Sequence, residues 1–177
     1  TGWRLKFYDT QLCDRVKYAR HAISLDENRK DFERVSWGAK AQNPVRDPED
    51  VKDWLGQVWF AGVHTDIGGG YEETESRLSD ISLQWMIGHA TTVPHPILVD
   101  ERYLNPSPSH KGMQHDERRS GFSSMVFAEG HREFPDNGLV HYTVADRMAE
   151  PEVRHIDGMR KYNPIPLQGK VYRTTNR

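Results

Sequence analysis

The sequence of 177 residues contains a single cysteine, Cys13. No intrachain disulfide can form, so an oxidising compartment is not required. No apolar run is long enough to cross a bilayer as a helix, and no signal-peptide pattern opens the sequence. A basic excess is also missing. The net charge is −2 and the sequence pI is about 6.5, which argues against nucleic acid or anionic lipid as an electrostatic partner. Hydrophobic residues make up only 36% of the chain, and mean hydropathy is −0.82. Five Trp, seven Tyr and six Phe nevertheless exclude a disordered composition. The chain reads as globular and loop-rich, or as part of a larger fold whose core it shares. Its first residue, Thr1, is not Met, so it reads as a processed, trimmed or partial product.

The most informative stretch is Val58-Trp59-Phe60-Ala61-Gly62-Val63-His64-Thr65-Asp66-Ile67-Gly68-Gly69-Gly70-Tyr71. Its apolar start predicts a buried strand over 57–63, because β-branched and aromatic residues suit a packed, pleated surface. His64 and Asp66 then fall where the strand yields to a turn, and the glycines permit backbone angles that a β-carbon forbids. Polar residues at the carboxyl end of a central strand occupy the usual place of active-site groups in open α/β sheets.

Elsewhere, Leu12, Val16, Ala19 and Ile23 recur at helical spacing and predict a helix over 10–24. The charges of residues 26–34 predict a solvated surface. Pro44 and Pro48 place a loop between Asn43 and Asp53. Ser79 and Asp80 offer an N-cap for a helix whose apolar side is Ile81, Trp85 and the Met86-Ile87 pair, ending near Gly88. Beyond Pro94 the prolines break up the pattern, leaving a candidate strand at 138–144 and a Pro-containing tail from Tyr162 to Leu167. The order helix, loop, strand, glycine turn, helix is one crossover unit of an α/β fold.

Several chemical motifs are absent. The nucleophile elbow Gly-x-Ser-x-Gly does not occur. Its nearest match, Gly121-Phe122-Ser123-Ser124-Met125, lacks the second glycine and follows His64, the reverse of the hydrolase order, so Ser123 reads as a loop serine. Nine histidines raise the question of a metal, yet there is neither a His-Glu-x-x-His helix nor a Cys-x-x-Cys pair. The triple glycine lacks the Gly-Lys-Ser/Thr ending of a phosphate loop. His64 remains the best general base, since imidazole titrates near neutral pH.

The 58–71 stretch resembles the signature of an α/β-hydrolase family once described only as a domain of unknown function. Its members include the catalytic domain of type VI secretion phospholipase effectors. Further segments agree in order: Arg20 to Arg29 with Phe32 and Trp37, Leu78 to Met86, Val140 to Val144 with Arg147, and Tyr162-Asn163-Pro164 with Leu167. The resemblance implies a Ser-Asp-His esterase or lipase. It places the serine in a Gly-Phe-Ser-Arg-Gly elbow and the acid in a Trp-Asp-Thr strand, both upstream and neither present here. Of the triad only the histidine carries over, onto His64, with His141 as the rival.

The expectation is therefore an α/β fold in which residues 1–177 form the C-terminal part of a single α/β-hydrolase-like domain, a mostly parallel sheet flanked by helices. Its function would be hydrolysis of carboxylic esters, with phospholipid as a candidate substrate and the N-terminal part of the domain as partner. His64 is the catalytic residue, supported by Asp66, Gly68, Gly69 or His141. No cofactor, metal, nucleic acid or transmembrane segment is expected. A non-catalytic hydrolase remnant serving binding or assembly is the alternative, and a metal-dependent hydrolase using His64 and Asp66 is a weaker third.

Overall fold

The computed structural model describes residues 15–30, 55–118 and 128–176. Cys13, Ser123 and the loop expected at 43–53 lie outside them. Strand β1 (Ala19–Ser24) runs parallel to β2 (Leu55–Phe60), with Ala19 opposite Leu55 and Ser24 opposite Phe60. Strands β3 (Leu139–Val140) and β6 (Arg173–Thr174) continue the sheet in the order β1-β2-β3-β6, every pair parallel. Strands β4 (Val153–His155) and β5 (Gly158–Arg160) form a separate antiparallel hairpin. Helix α1 (His64–Gly68) follows β2 directly, α2 (Arg77–Thr92) packs beside it, and α3 (Tyr142–Ala149) follows β3. This is an α/β architecture with a mostly parallel sheet.

The expected strand at 57–63 is therefore interior and parallel, but it is displaced to 55–60. Ala61, Gly62 and Val63 form the turn instead. Gly62 adopts φ 115°, and a β-carbon there would lie 2.5 Å from Asp66 Cβ. Successive residues of a strand face opposite sides, and both sides here are covered. Ile23, Trp59, Val140 and Val144 join one buried cluster, whereas Val58, Phe60, Ile67, Leu78 and Ile81 form another under α2. Burial on both faces is the normal state of a parallel sheet, and each such side chain stabilises the fold by roughly 1.5–3 kcal/mol.

Residues 19–24 form a strand and not the end of a helix. Ala19 and Ile23 are four apart, a spacing that shares a face in either structure, so periodicity could not separate the two. Helix α2 starts earlier than expected, after Ser76, and outlasts Gly88 to reach Thr92. Val93 is then extended, as the residue before Pro94 must be. Asp80 does not cap this helix. Its carboxylate accepts from the Ser107 amide at 2.9 Å. The strand expected at 138–144 stops at Val140, because His141 is the N-cap residue of α3.

Arg147 on α3 joins these layers and is fully buried. It donates to the carbonyls of His110, Gly112 and Arg154, and its guanidinium lies 5.0 Å from the Tyr162 ring centroid. Arg147→Ala is expected to cost about 3–5 kcal/mol, since buried acceptors lose their donor. Urea unfolding measures this, and a loss within about 0.5 kcal/mol, the range of an ordinary surface substitution, would contradict the role given to Arg147.

Candidate active site

Parallel register brings the ends of β1 and β2 together, so the residues after Ser24 meet the residues after Phe60. Leu25 donates its amide to the Phe60 carbonyl at 2.9 Å, and Asp26 donates to the Gly62 carbonyl at 3.1 Å. In return the Gly62 amide donates to Asp26 Oδ2 at 2.7 Å. The tail supplies a second donor, the Tyr162 hydroxyl, at 2.8 Å. Burial still dominates and raises the Asp26 carboxyl to about 6.

Glu27 is 1% exposed. The solvated surface expected for 26–34 is thus corrected for both Glu27 and Arg29, which are buried against each other at 2.9 Å. Desolvation alone would lift the Glu27 carboxyl. Hydrogen bonds from Arg29 and His64 together outweigh it and hold the group down at about 2. A charge run looks solvated in sequence, but alternate members here turn inward as an ion pair.

His64 opens α1 and leaves 40% of its side chain exposed. Its Nδ1 lies 2.6 Å from Glu27 Oε2, and its backbone amide donates to the same oxygen at 3.3 Å. Arg29 Nη2 is 2.7 Å from Nδ1 and 3.3 Å from Nε2. One ring nitrogen cannot donate to Glu27 and accept from Arg29 at once. The ionised carboxylate, at the shorter distance, is the stronger acceptor for an Nδ1 proton. On the other side, the Thr65 hydroxyl is 3.0 Å from Nε2 and 3.0 Å from Glu117 Oε1.

Asp66 directs its hydrogen bonds away from the His64 ring. It accepts from the Val63 amide at 3.0 Å, the His115 amide at 3.1 Å and the His115 ring at 2.7 Å. It therefore closes the turn as an N-terminal cap would. Burial raises its carboxyl despite these donors. The Nε2 of His115 is 3.3 Å from Glu75, and its ring stacks on Tyr71 at 3.5 Å, so this second carboxylate–imidazole pair is enclosed. Gly69 and Gly70 take φ values of 81° and 132° where the chain leaves α1. Gly68 has an ordinary φ and lines, with Gly69, the cavity in front of His64.

That cavity holds about 590 Å³ and is bordered by Ile67, Leu83 and Met86 on one side and by Arg20 and Arg132 on another. The buried Ser24 hydroxyl, without a hydrogen-bond partner, also borders it. His141 lies elsewhere. Its ring stacks on Phe60 at 4.8 Å, its Nδ1 meets the Thr143 hydroxyl at 2.8 Å, and burial lowers it to about 4. Sequence reasoning missed Glu27, Arg29, His115 and Glu117. The first two stood in the segment assigned to solvent, and only the parallel register could have signalled them. Among the described residues, no group of three or more His, Cys, Asp or Glu side chains converges as a metal cage would require. No helix there is long and apolar enough to cross a membrane.

The raised Asp26 carboxyl has a direct consequence for stability. The unfolded group titrates near 3.8 and the folded one near 6, so the folded state binds more protons between these values. Asp26 therefore weakens the fold as pH rises through that window. Glu27 acts oppositely, stabilising above 4.5 and losing its contribution as pH falls towards 2. The thermal midpoint of Asp26→Asn is expected to gain on the unsubstituted protein as pH rises from 3.8 to 6. A difference that does not change with pH would contradict this.

No curated protein and no solved structure matches the chain. A family model does match, described as T6SS, Phospholipase effector Tle1-like, catalytic domain, over residues 2–89. The segments around 140–147 and 162–167 lie beyond that match. Residues 2–89, which carry β1, β2, the His64 turn and most of α2, are thus similar to the catalytic domain of Tle1-like type VI secretion phospholipase effectors.

Proposed function

We propose that the chain is the C-terminal part of an α/β-hydrolase domain and supplies the general base of a serine-type phospholipid esterase. The observation that carries this reading is the 2.6 Å contact between Glu27 and His64 Nδ1, placed at the mouth of the cavity of about 590 Å³. With Nδ1–H given to Glu27, Nε2 keeps its lone pair for a proton from a serine hydroxyl. The imidazolium then formed is held by the buried carboxylate until it returns the proton to the leaving alcohol. Glu27 is a positioning residue, taking the part that the upstream Asp has in the resemblance. The Thr65 hydroxyl donates to Glu117, and its oxygen, 3.0 Å from Nε2, can accept from that nitrogen once it is protonated.

The cavity suits a phospholipid. Ile67, Leu83 and Met86 give an acyl chain an apolar wall, and Arg20 and Arg132 set positive charge beside it. Apolar pockets with a few placed polar groups are the usual form of such sites. The nucleophile comes from a Gly-x-Ser-x-Gly elbow outside these 177 residues, since the sequence contains none. The 177-residue chain alone should therefore leave a short activated ester intact. Turnover that vanishes on Ser123→Ala would overturn the assignment.

In a polypeptide that also carries the upstream half, His64→Ala is expected to lower kcat by about 10³-fold or more. Glu27→Gln should lower it by about 10²–10⁴-fold, because the amide no longer enforces the Nδ1–H tautomer. His141→Ala should stay within about tenfold, and chelators should have no effect. Circular dichroism confirms folding of each variant. A dead His141→Ala beside an active His64→Ala reverses the two roles, and full activity of Glu27→Gln removes Glu27 from the mechanism.

A further inference from the structure

A second cavity, of about 230 Å³, lies between the 26–28 segment, the 114–116 segment and the chain from His155 to Pro166. That is well above the roughly 30 Å³ one water takes up in the liquid, so a small organic molecule fits. None of its lining residues borders the cavity of His64. The two cavities flank one strip of chain. Glu27 faces His64, whereas its neighbours Asp26 and Asn28 border the second cavity.

Among the described residues, eight buried side-chain polar atoms lack a hydrogen-bond partner, and four of the eight belong to residues lining this cavity. They are Asn28 Oδ1, Gln114 Oε1 and both ring nitrogens of His155. Buried polar groups are nearly always satisfied in folded proteins, so such a concentration calls for a ligand. Gln114 and His155 are 9% and 5% exposed, which makes this a built wall and not a surface groove. The Asn28 amide is oriented, because its Nδ2 donates to Asp116 Oδ1 at 2.8 Å and leaves Oδ1 on the other side.

The hydrogen-bond inventory selects the ligand's chemistry. The amide oxygens only accept. Burial, with Arg160 and Arg147 nearby, lowers His155 to about 4, so at neutral pH its ring is uncharged, with one donor and one acceptor. A phosphodiester or a fully ionised phosphate monoester has no donor for the amide oxygens. An ammonium group cannot accept from the ring N–H. Hydroxyls do both. We propose that this cavity is a binding site for a compact polyol, such as an inositol, a hexose or a glycerol moiety, held by Asn28, Gln114 and His155. The site is separate from His64 and does not depend on ester hydrolysis.

The same polyol chemistry occurs free and on lipid headgroups. Saturation-transfer NMR with myo-inositol, glucose and glycerol, each titrated against the 177-residue protein, tests the free form. Cosedimentation with phosphatidylcholine vesicles, with and without phosphatidylglycerol or phosphatidylinositol, tests the lipid form. Gln114→Leu and His155→Phe replace unpaired groups by apolar ones of similar size, so their thermal midpoints should equal or exceed that of the unsubstituted protein. Each should weaken polyol binding by about tenfold or more. Saturable binding of a free polyol that both variants lose supports the proposal. So does retention on phosphatidylglycerol or phosphatidylinositol vesicles that both variants lose, which then assigns the polyol to a headgroup. No binding in either arm, or binding unchanged in both folded variants, overturns it.

Discussion

Asp26, Glu27 and Asp66 all place carboxylates beneath the turn that follows β2, the first two brought there by the pairing of β1 with β2 and the third by the first turn of α1. An unpaired buried charge is costly, so every one of them has recruited donors from the turn itself. Asp26 holds the Gly62 amide, Asp66 the Val63 amide, and Glu27 the His64 amide and ring. The turn has little freedom left. Gly62 is confined to a positive φ with Asp66 against it, and His64 is delivered at one place and in one orientation.

Neighbouring carboxylates answer the same burial in opposite ways. Asp26 meets neutral donors and rises to about 6, whereas Glu27 meets Arg29 and falls to about 2. Asp26 is accordingly structural, tying the tail through Tyr162 to the strand end, with Arg147 lying over that tyrosine. Glu27 keeps its charge beside a half-exposed imidazole, the pairing on which the proposed proton transfer rests.

Much of this frame was legible in the residues. The unbroken apolar run of Val58-Trp59-Phe60 marked a buried strand, and the triple glycine marked a turn that needs positive φ at Gly69 and Gly70. Helix α2 followed from the spacing of Ile81, Trp85 and the Met86-Ile87 pair. Other features depend on contacts distant in sequence. Whether Ala19 and Ile23 belonged to a helix or a strand depended on the partner β2. Whether Glu27 faced water depended on His64, which lies 37 positions away. Thr143 and Val144 have strand propensity, yet a helix begins beside them once His141 bonds back to the Trp59 carbonyl. The orphaned acceptors of Asn28, Gln114 and His155 carry no sequence signal, because each residue type is ordinary until its surroundings are closed.

The proposed role of Glu27 in presenting a bare Nε2 rests on the tautomer of His64, which long-range proton–nitrogen NMR of the 177-residue protein reads directly in the neutral ring. The Nδ1–H form is expected to be the sole tautomer, and Glu27→Gln should restore the mixture favouring Nε2–H that a free imidazole shows. An Nε2–H ring in the unsubstituted protein, with Nδ1 accepting from Arg29, would contradict the assignment of His64 as a base poised by Glu27.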